Sequence, residues 1–373
     1  MGLMGSDLFE ISVNIGKMLG IFLLMVQMVP LLVWVERRGS AFIQNRFGPN
    51  RVGPLGLTQL LADAVKFLFK EEFRPPASVA FLYYAAPVLA LIPGALAFAS
   101  IPLAPPFEVT FNGQTYKFLF QVFDLGIGIV FVLGISSLGA YALLFAGWGS
   151  GNKYSLMGAL RASAQMISYE LALGLSLVGI LLIFGTFSFS EMVEMQRGPL
   201  SFTFLGQPTT ISFLPNWGIF YQPLGFILFF AATFAETNRA PFDLPEAEAE
   251  LVAGYHTEYG GLKMLMFYIG EYGHMMVASA LATTFYFGGY ELPFGSESLQ
   301  QSFSPLAYSF ILFGCFLTKV LVFLWIFIWV RWTLPRFRYD QLMDLGWKTM
   351  LPWALFNTVL TAVVVVLFHS SGS

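Results

Sequence analysis

The sequence predicts an all-α polytopic membrane protein with eight transmembrane helices and amphipathic surface helices in its cytoplasmic loops. Three observations carry that prediction. Of the 373 residues 57% are hydrophobic and only 11% charged, against about a quarter charged in a soluble domain. The apolar residues fall in runs long enough to cross a bilayer. The basic residues collect in alternate loops.

A spanning helix needs roughly 20 mostly apolar residues. Eight segments qualify: 11–35, 79–101, 121–146, 156–187, 216–235, 262–289, 306–332 and 349–368. The fourth would be about 48 Å long at 1.5 Å per residue, so it must tilt or protrude. No Lys or Arg precedes Lys17, and no small-residue cleavage site follows the first run. That run therefore reads as a retained span rather than a secretory signal. Of the 19 basic residues, Lys117 and Arg197 alone fall in the loops after the even-numbered spans, and Lys17 and Lys319 fall within spans. All the others sit in or beside the loops after spans one, three, five and seven. Basic loops stay on the cytoplasmic side, which predicts outward termini. No 20–50-residue repeat and no low-complexity tract breaks the chain, so 1–373 reads as a single membrane domain.

The cytoplasmic loops carry structure of their own. Leu57, Leu60, Leu61, Ala64 and Leu68 follow helical spacing, with Asp63, Lys66 and Lys70 on the other face. This predicts an amphipathic helix over 55–70, lying on the membrane or on a partner. Gly48 to Pro54 before it reads as a glycine- and proline-set loop. Residues 336–347, with Arg336, Arg338, Asp340 and Asp344, predict a short surface helix ahead of the last span. Glycines within the spans (Gly126, Gly128, Gly134, Gly139, Gly174, Gly179) suggest close helix packing.

Several chemistries are excluded. One cysteine, Cys315, rules out an internal disulfide and a cysteine-held iron–sulfur cluster. The histidines, His256, His274 and His369, are scattered. Glu271 and His274 form one Glu-x-x-His pair, but di-iron bundles need two such pairs and further carboxylates. Gly126-Ile127-Gly128 lies inside a span, with no strand before it and no third glycine, so it is no nucleotide fingerprint. No metal ligand set and no nucleic-acid partner are expected.

Charge near the bilayer centre costs a few kcal/mol and calls for a reason. Glu170 lies deep in the fourth span behind Ser163, Gln165, Ser168 and Tyr169, a polar face able to line a wet cavity. Glu271 lies in the sixth span beside Tyr272, and Glu236 closes the fifth. Asp124, Lys17 and Lys319 sit nearer span edges, where they can pair or snorkel to the surface. Residues 236–271 hold Glu236, Asp243, Glu246, Glu248, Glu250, Glu258 and Glu271 against Arg239 and Lys263. If 243–250 is helical, Asp243, Glu246 and Glu250 share a face. Crowding and burial would raise their pKa values and suit them to hold protons. A solvated acidic loop is the competing reading.

The block Ala235-Glu236-Thr237-Asn238-Arg239-Ala240-Pro241-Phe242-Asp243-Leu244-Pro245-Glu246-Ala247-Glu248, continuing to Glu258-Tyr259, closely resembles the signature of one family. It is the subunit 1 family of respiratory complex I, whose bacterial members are the H subunits. Glu36-Arg37-Arg38, Gln44 to Asn50, Gly158 to Arg161, Ser168-Tyr169-Glu170 and Pro335 to Met343 resemble further blocks of that family, in the same order. The resemblance implies a membrane subunit of proton-translocating NADH:quinone oxidoreductase that forms part of the quinone cavity. In that role Glu170, Glu236, Asp243, Glu246, Glu248, Glu250, Glu258 and Glu271 would form the acidic proton path. Arg37, Arg38, Arg46, Arg239 and Arg331 would line or brace the cavity. The chain would hold no redox cofactor alone and would share quinone with partner subunits. Those partners would be peripheral quinone-site and iron–sulfur subunits and adjacent small membrane subunits, within a bacterial inner membrane rather than a mitochondrial one. A related membrane hydrogenase or ferredoxin-linked complex is the alternative, and a stand-alone transporter is a third reading. The Glu-Thr-Asn-Arg and Arg-Phe-Arg-Tyr-Asp blocks favour the quinone enzyme.

Overall fold

The computed structural model describes residues 2–111, 114–204, 207–243 and 253–370. It is mostly helical. Among the described residues six helices are long and apolar enough to cross a membrane: Ser12–Ile43, Ala80–Ser100, Gly128–Gly149, Lys153–Phe184, Pro305–Thr333 and Tyr339–Leu367. Two of the eight predicted spans are not among them. The 216–235 region is a short turn of helix, α8 (Gly218–Tyr221), followed by α9 (Pro223–Glu236). The 14 residues of α9 reach about 21 Å, short of a ~30 Å hydrocarbon core. The 262–289 region forms α10 (Gly261–Tyr286), which is long enough but carries Lys263, Glu271 and His274.

The remaining elements run in order. They are α1 (Gly2–Ile43), α2 (Gln59–Phe69), α3 (Ala80–Ser100), α4 (Gly128–Ser136), α5 (Leu138–Gly149), α6 (Lys153–Phe184), α7 (Phe189–Met195), α11 (Ser296–Ser302), α12 (Pro305–Thr333), α13 (Tyr339–Asp344) and α14 (Leu351–Ser370). Local chemistry sets several ends. The Asn152 side chain accepts from the Tyr154 N–H at 3.0 Å and caps α6, which stops at left-handed Gly185. Ser304 caps α12, with Pro305 at its first position.

Two antiparallel hairpins, unforeseen in the sequence, lie opposite the basic loops. The strands β1 (Phe107–Phe111) and β2 (Gln114–Phe118) form one, and β3 (Pro199–Phe204) and β4 (Gln207–Pro215) the other. The predicted helix over 336–347 is also revised. A π-turn, Leu345–Met350, joins α13 to α14 in one run. Pro352 follows it, and a proline cannot donate to the carbonyl one turn back, so the wider turn accommodates the missing bond. The amphipathic helix α2 forms as predicted, and none of its residues is buried.

Helix α10 is the axis of the bundle and packs on α3, α1, α9 and α12. From Met275 to Tyr286 every residue is buried. The larger core cluster gathers around it, including Met25, Val29, Phe229, Phe285, Phe316 and Phe327. A smaller cluster joins Tyr83, Ala86, Ala146, Ala159 and Tyr259 at the basic end. Glycine permits the closest approaches: a Cβ on Gly270 would lie 2.5 Å from the Ala90 carbonyl oxygen on α3. The packing role holds for Gly128, Gly139 and Gly179. It fails for Gly126, Gly134 and Gly174, where a Cβ would meet nothing within 4 Å. Nor does Lys319 snorkel. Its ammonium donates to the carbonyls of Phe287, Gly289 and Glu291 at 2.7, 2.9 and 2.5 Å, holding the turn that follows α10.

The substitution Gly270→Ala is expected to separate α3 from α10 and lower stability by about 1–3 kcal/mol, the usual cost of overpacking. Gly174→Ala, which points into open space, should not lower it. Thermal unfolding of the solubilised assembly compares the two.

Candidate functional site

The site begins where α9 stops. Asn238 adopts φ 50°, a left-handed conformation that asparagine tolerates, and turns the chain after Thr237. Gln165 on α6 pins this turn, donating to the carbonyls of Ala235 and Phe242 at 2.8 Å each. The result is that Arg239 points into the bundle, only 4% exposed.

A buried guanidinium needs compensation from close partners. Arg239 has it on two sides. Its Nε lies 2.8 Å from Glu271 Oε1 and its Nη1 3.6 Å from Glu36 Oε2. Glu36 in turn meets Arg331 Nη1 at 2.5 Å through its other oxygen. Tyr272 donates its hydroxyl to Glu36 Oε2 at 2.6 Å, while its ring lies 4.2 Å from the Arg239 guanidinium carbon. The ladder Glu271–Arg239–Glu36–Arg331 thus alternates in sign and balances two acids with two bases. Burial alone would lower the Arg239 pKa; Glu271, Tyr272 and Glu36 outweigh it, and the guanidinium is held above its ordinary value. Arg239 Nη2 is buried with no hydrogen-bond partner.

Four segments supply the ladder, and helical phase explains each contribution. On α1 the buried stripe runs Met25, Val29, Leu32, Glu36, at steps of four, three and four. On α12 Val320, Leu324 and Ile328 lead towards Arg331 in the same way. Glu271 and Tyr272 are consecutive on α10, so they diverge by about 100°. Glu271 also lines a small cavity of about 40 Å³ together with Glu236, Asn238, Tyr255 and His274. That volume suffices for water, which needs only about 10–15 Å³ measured this way. Glu170 on α6 is an electrostatic neighbour of Glu236.

A sequence model of the family described as NADH dehydrogenase matches residues 16–362. The NADH-quinone oxidoreductase H subunit of Bdellovibrio bacteriovorus is 64% identical over 379 residues, covering 97% of this chain and 98% of that one. The corresponding H subunits of Salinibacter ruber and Cytophaga hutchinsonii are each 44% identical. Those matches cover 95% and 90% of this chain, and 97% and 91% of the relatives. The chain belongs to the family of NADH-quinone oxidoreductase H subunits. It is therefore a membrane subunit of complex I.

Within this complex I fold the residues singled out from sequence part company. Arg239, Arg331 and Glu271 meet in the ladder, and Glu236 and Glu170 extend from it. Arg37, Arg38 and Arg46 do not join it. Arg37 pairs with Asp63 at 2.6 Å on the surface, Arg38 lies over Trp34, and Arg46 bonds Gln44 at 2.7 Å. Asp243 is buried beside the ladder's loop and pairs with Arg336 at 2.8 Å. Glu258 accepts from Asn152 at 2.7 Å, near the start of α6. Glu246, Glu248 and Glu250 lie outside the described residues. Sequence reasoning missed Glu36, although its place on the apolar stripe Met25–Val29–Leu32 marked it as inward-facing. His274 lines the small cavity, and among the described residues no three His, Cys, Asp or Glu groups gather as metal ligands.

Removing one partner of a buried ion pair strands the other. Arg239→Met should therefore cost about 3–5 kcal/mol. Arg37→Met, whose pair with Asp63 is solvent-facing, should cost less than about 1 kcal/mol. Denaturant unfolding of the purified assembly measures both.

Proposed function

We propose that this subunit forms part of the quinone cavity of a proton-translocating NADH:quinone oxidoreductase and couples quinone reduction to proton movement through its buried carboxylates. The observation that carries the reading is the charge-balanced ladder of Glu271, Arg239, Glu36 and Arg331, continued through a water-sized cavity to Glu236, whose electrostatic neighbour is Glu170. Arg239 Nη2 is a buried donor without an acceptor, and a quinone oxygen is an acceptor. Where charges cancel at low dielectric, adding or removing one proton shifts every neighbour. Quinone reduction consumes protons, so a negative charge arriving beside Arg239 would favour proton uptake along Glu271, Glu236 and Glu170. Asp243, Glu258 and the loop acids Glu246, Glu248 and Glu250 belong to the same proposed path. Arg37, Arg38 and Arg46 brace the loops around it.

On this reading α8 with α9, and α10, complete eight crossings, because buried helices within a bundle need less hydropathy than lipid-facing ones. The chain carries no redox centre of its own and shares quinone with peripheral iron–sulfur and quinone-site subunits. Small membrane subunits adjoin it in a bacterial inner membrane. The exposed apolar side chains of Leu61, Leu68 and Phe69 on α2 support docking of that helix to lipid or to a partner. The names of the relatives favour the quinone enzyme over a hydrogenase.

Glu170→Gln and Glu236→Gln keep shape and remove a titrating group. In the assembled complex in proteoliposomes each should drop the protons moved per electron to near background, with the subunit still assembled. Unchanged pumping in both variants would refute the path. Parallel quinone-reduction rates show whether electron delivery survives.

A further inference from the structure

A second polar cavity, of about 490 Å³, opens at the other end of the bundle. Tyr308 in its wall and Arg331 of the ladder are 23 residues apart on α12, about 35 Å along the axis. Its walls include Glu194 and Arg197, which follow one another across the end of α7. Tyr290 and Glu291, after α10, and Phe303 and Tyr308, around the start of α12, complete them. A neighbouring cavity of about 190 Å³ shares Glu194 and Tyr290 and adds Asp124 and Glu191.

Three side-chain atoms here are buried without a hydrogen-bond partner: Glu291 Oε2, Arg197 Nε and the Tyr308 hydroxyl. Glu291 is only 4% exposed. Such groups are costly to leave open. Arg197 and Glu291 feel one another's charge, yet Arg197 turns its Nη2 to Gln300 Oε1 at 2.7 Å. Among the described residues no ion pair closes the gap between them. The two charges flank a void instead. Burial pushes the Glu291 carboxyl up, against the pull of Arg197, a Ser296 hydrogen bond and Lys319, so a further cation would favour its ionised form.

The void is far larger than one water, whose share of liquid is about 30 Å³. It falls within the roughly 300–1,000 Å³ of small-ligand sites. Its ligand must offer a cation to the carboxylates and an anion to Arg197. No metal-like group of three ligands exists among the described residues. Aromatic rings of Tyr290, Phe303 and Tyr308 suit an organic cation. The cavity sits where α10 ends and α12 begins.

We propose that this cavity binds a zwitterion carrying a primary ammonium and a phosphate, as an ethanolamine phospholipid head group does. The ammonium takes Glu291 and Glu194. The phosphate takes Arg197 and the Tyr308 hydroxyl. The proposal is independent of the quinone reading, since it concerns the opposite face.

The test uses the intact complex, stripped of lipid in mild detergent. It is reconstituted in nanodiscs holding equal deuterated phosphatidylethanolamine and phosphatidylcholine, and native mass spectrometry reads the retained lipid. Retention should favour the ethanolamine lipid, because a trimethylammonium cannot donate hydrogen bonds to carboxylates. Glu291→Gln should cut that preference about tenfold, the worth of one charge-assisted hydrogen bond, and Arg197→Gln should cut the total retention of both lipids by a similar factor, because both carry the phosphate. If Glu291→Gln fails to assemble, Arg197→Gln, at the half-exposed rim, decides. Soluble O-phosphoethanolamine bound without lipid retention, and lost in the same variants, would support the site with a soluble ligand. Equal retention of both lipids with no phosphoethanolamine binding, wild-type preference in assembled Glu291→Gln, or wild-type total retention in Arg197→Gln, would overturn it.

Discussion

The interaction on which the architecture depends is the burial of Arg239 between Glu36 and Glu271. A guanidinium cannot be discharged at any accessible pH, so taking it out of water commits the fold to supplying anions at ion-pairing range. Those anions lie on α1 and α10, and α12 answers the leftover charge with Arg331. Arg239 thus ties its own loop to α1 and α10, and Glu36 carries the tie on to α12 through Arg331. Gln165 holds the turn that delivers it, and Tyr272 fills the space beneath it.

Around this ladder the helices are interrupted, and each interruption is satisfied by a buried polar side chain. Between α8 and α9 the break falls at Gln222, which bonds Thr361 at 2.5 Å and Asn357 at 2.8 Å on α14. Gln196 accepts from the amides of Gly218 and Gly288 and donates to the Thr284 carbonyl, binding the start of α8 to the end of α10. The Tyr169 hydroxyl donates to the Leu342 carbonyl near the π-turn. Irregular backbone within a membrane is tolerable where protein encloses it. Here the irregularities also bring polar atoms into the interior of an otherwise apolar bundle.

The two ends of the molecule solve the charge problem differently. At the basic end opposite charges touch and cancel. At the far end Arg197 and Glu291 stand apart around a void, and Lys319 commits its ammonium to backbone carbonyls rather than to a carboxylate. Helices α10 and α12 connect both ends. A charge change at one end thus meets a rigid, aromatic-packed core before it reaches the other.

Much of this was legible from the residues alone. Long apolar runs and one-sided basic loops gave the helical membrane class, because lipid penalises charge wherever it falls in a span. The acids Glu170, Glu236 and Glu271 stood out for the same reason, and the Glu-Thr-Asn-Arg block carried the family. Pairing was not legible. Arg37, Arg38 and Arg239 look alike as basic residues near span ends. The stripe Met25–Val29–Leu32 turns Glu36 inward rather than its two arginine neighbours, because a one-residue step on a helix rotates a side chain by about 100°; only the packed bundle decides that it meets Arg239 and Arg331. The cavity around Glu291 depends on contacts between residues far apart in sequence, and no local pattern encodes it. The hairpins pair near neighbours, Phe111 with Gln114 and Phe204 with Gln207, and the π-turn answers Pro352; these are local features that hydropathy does not register. Local chemistry selected the helices and their polar cargo; three-dimensional packing chose which charges meet and which are left facing empty space.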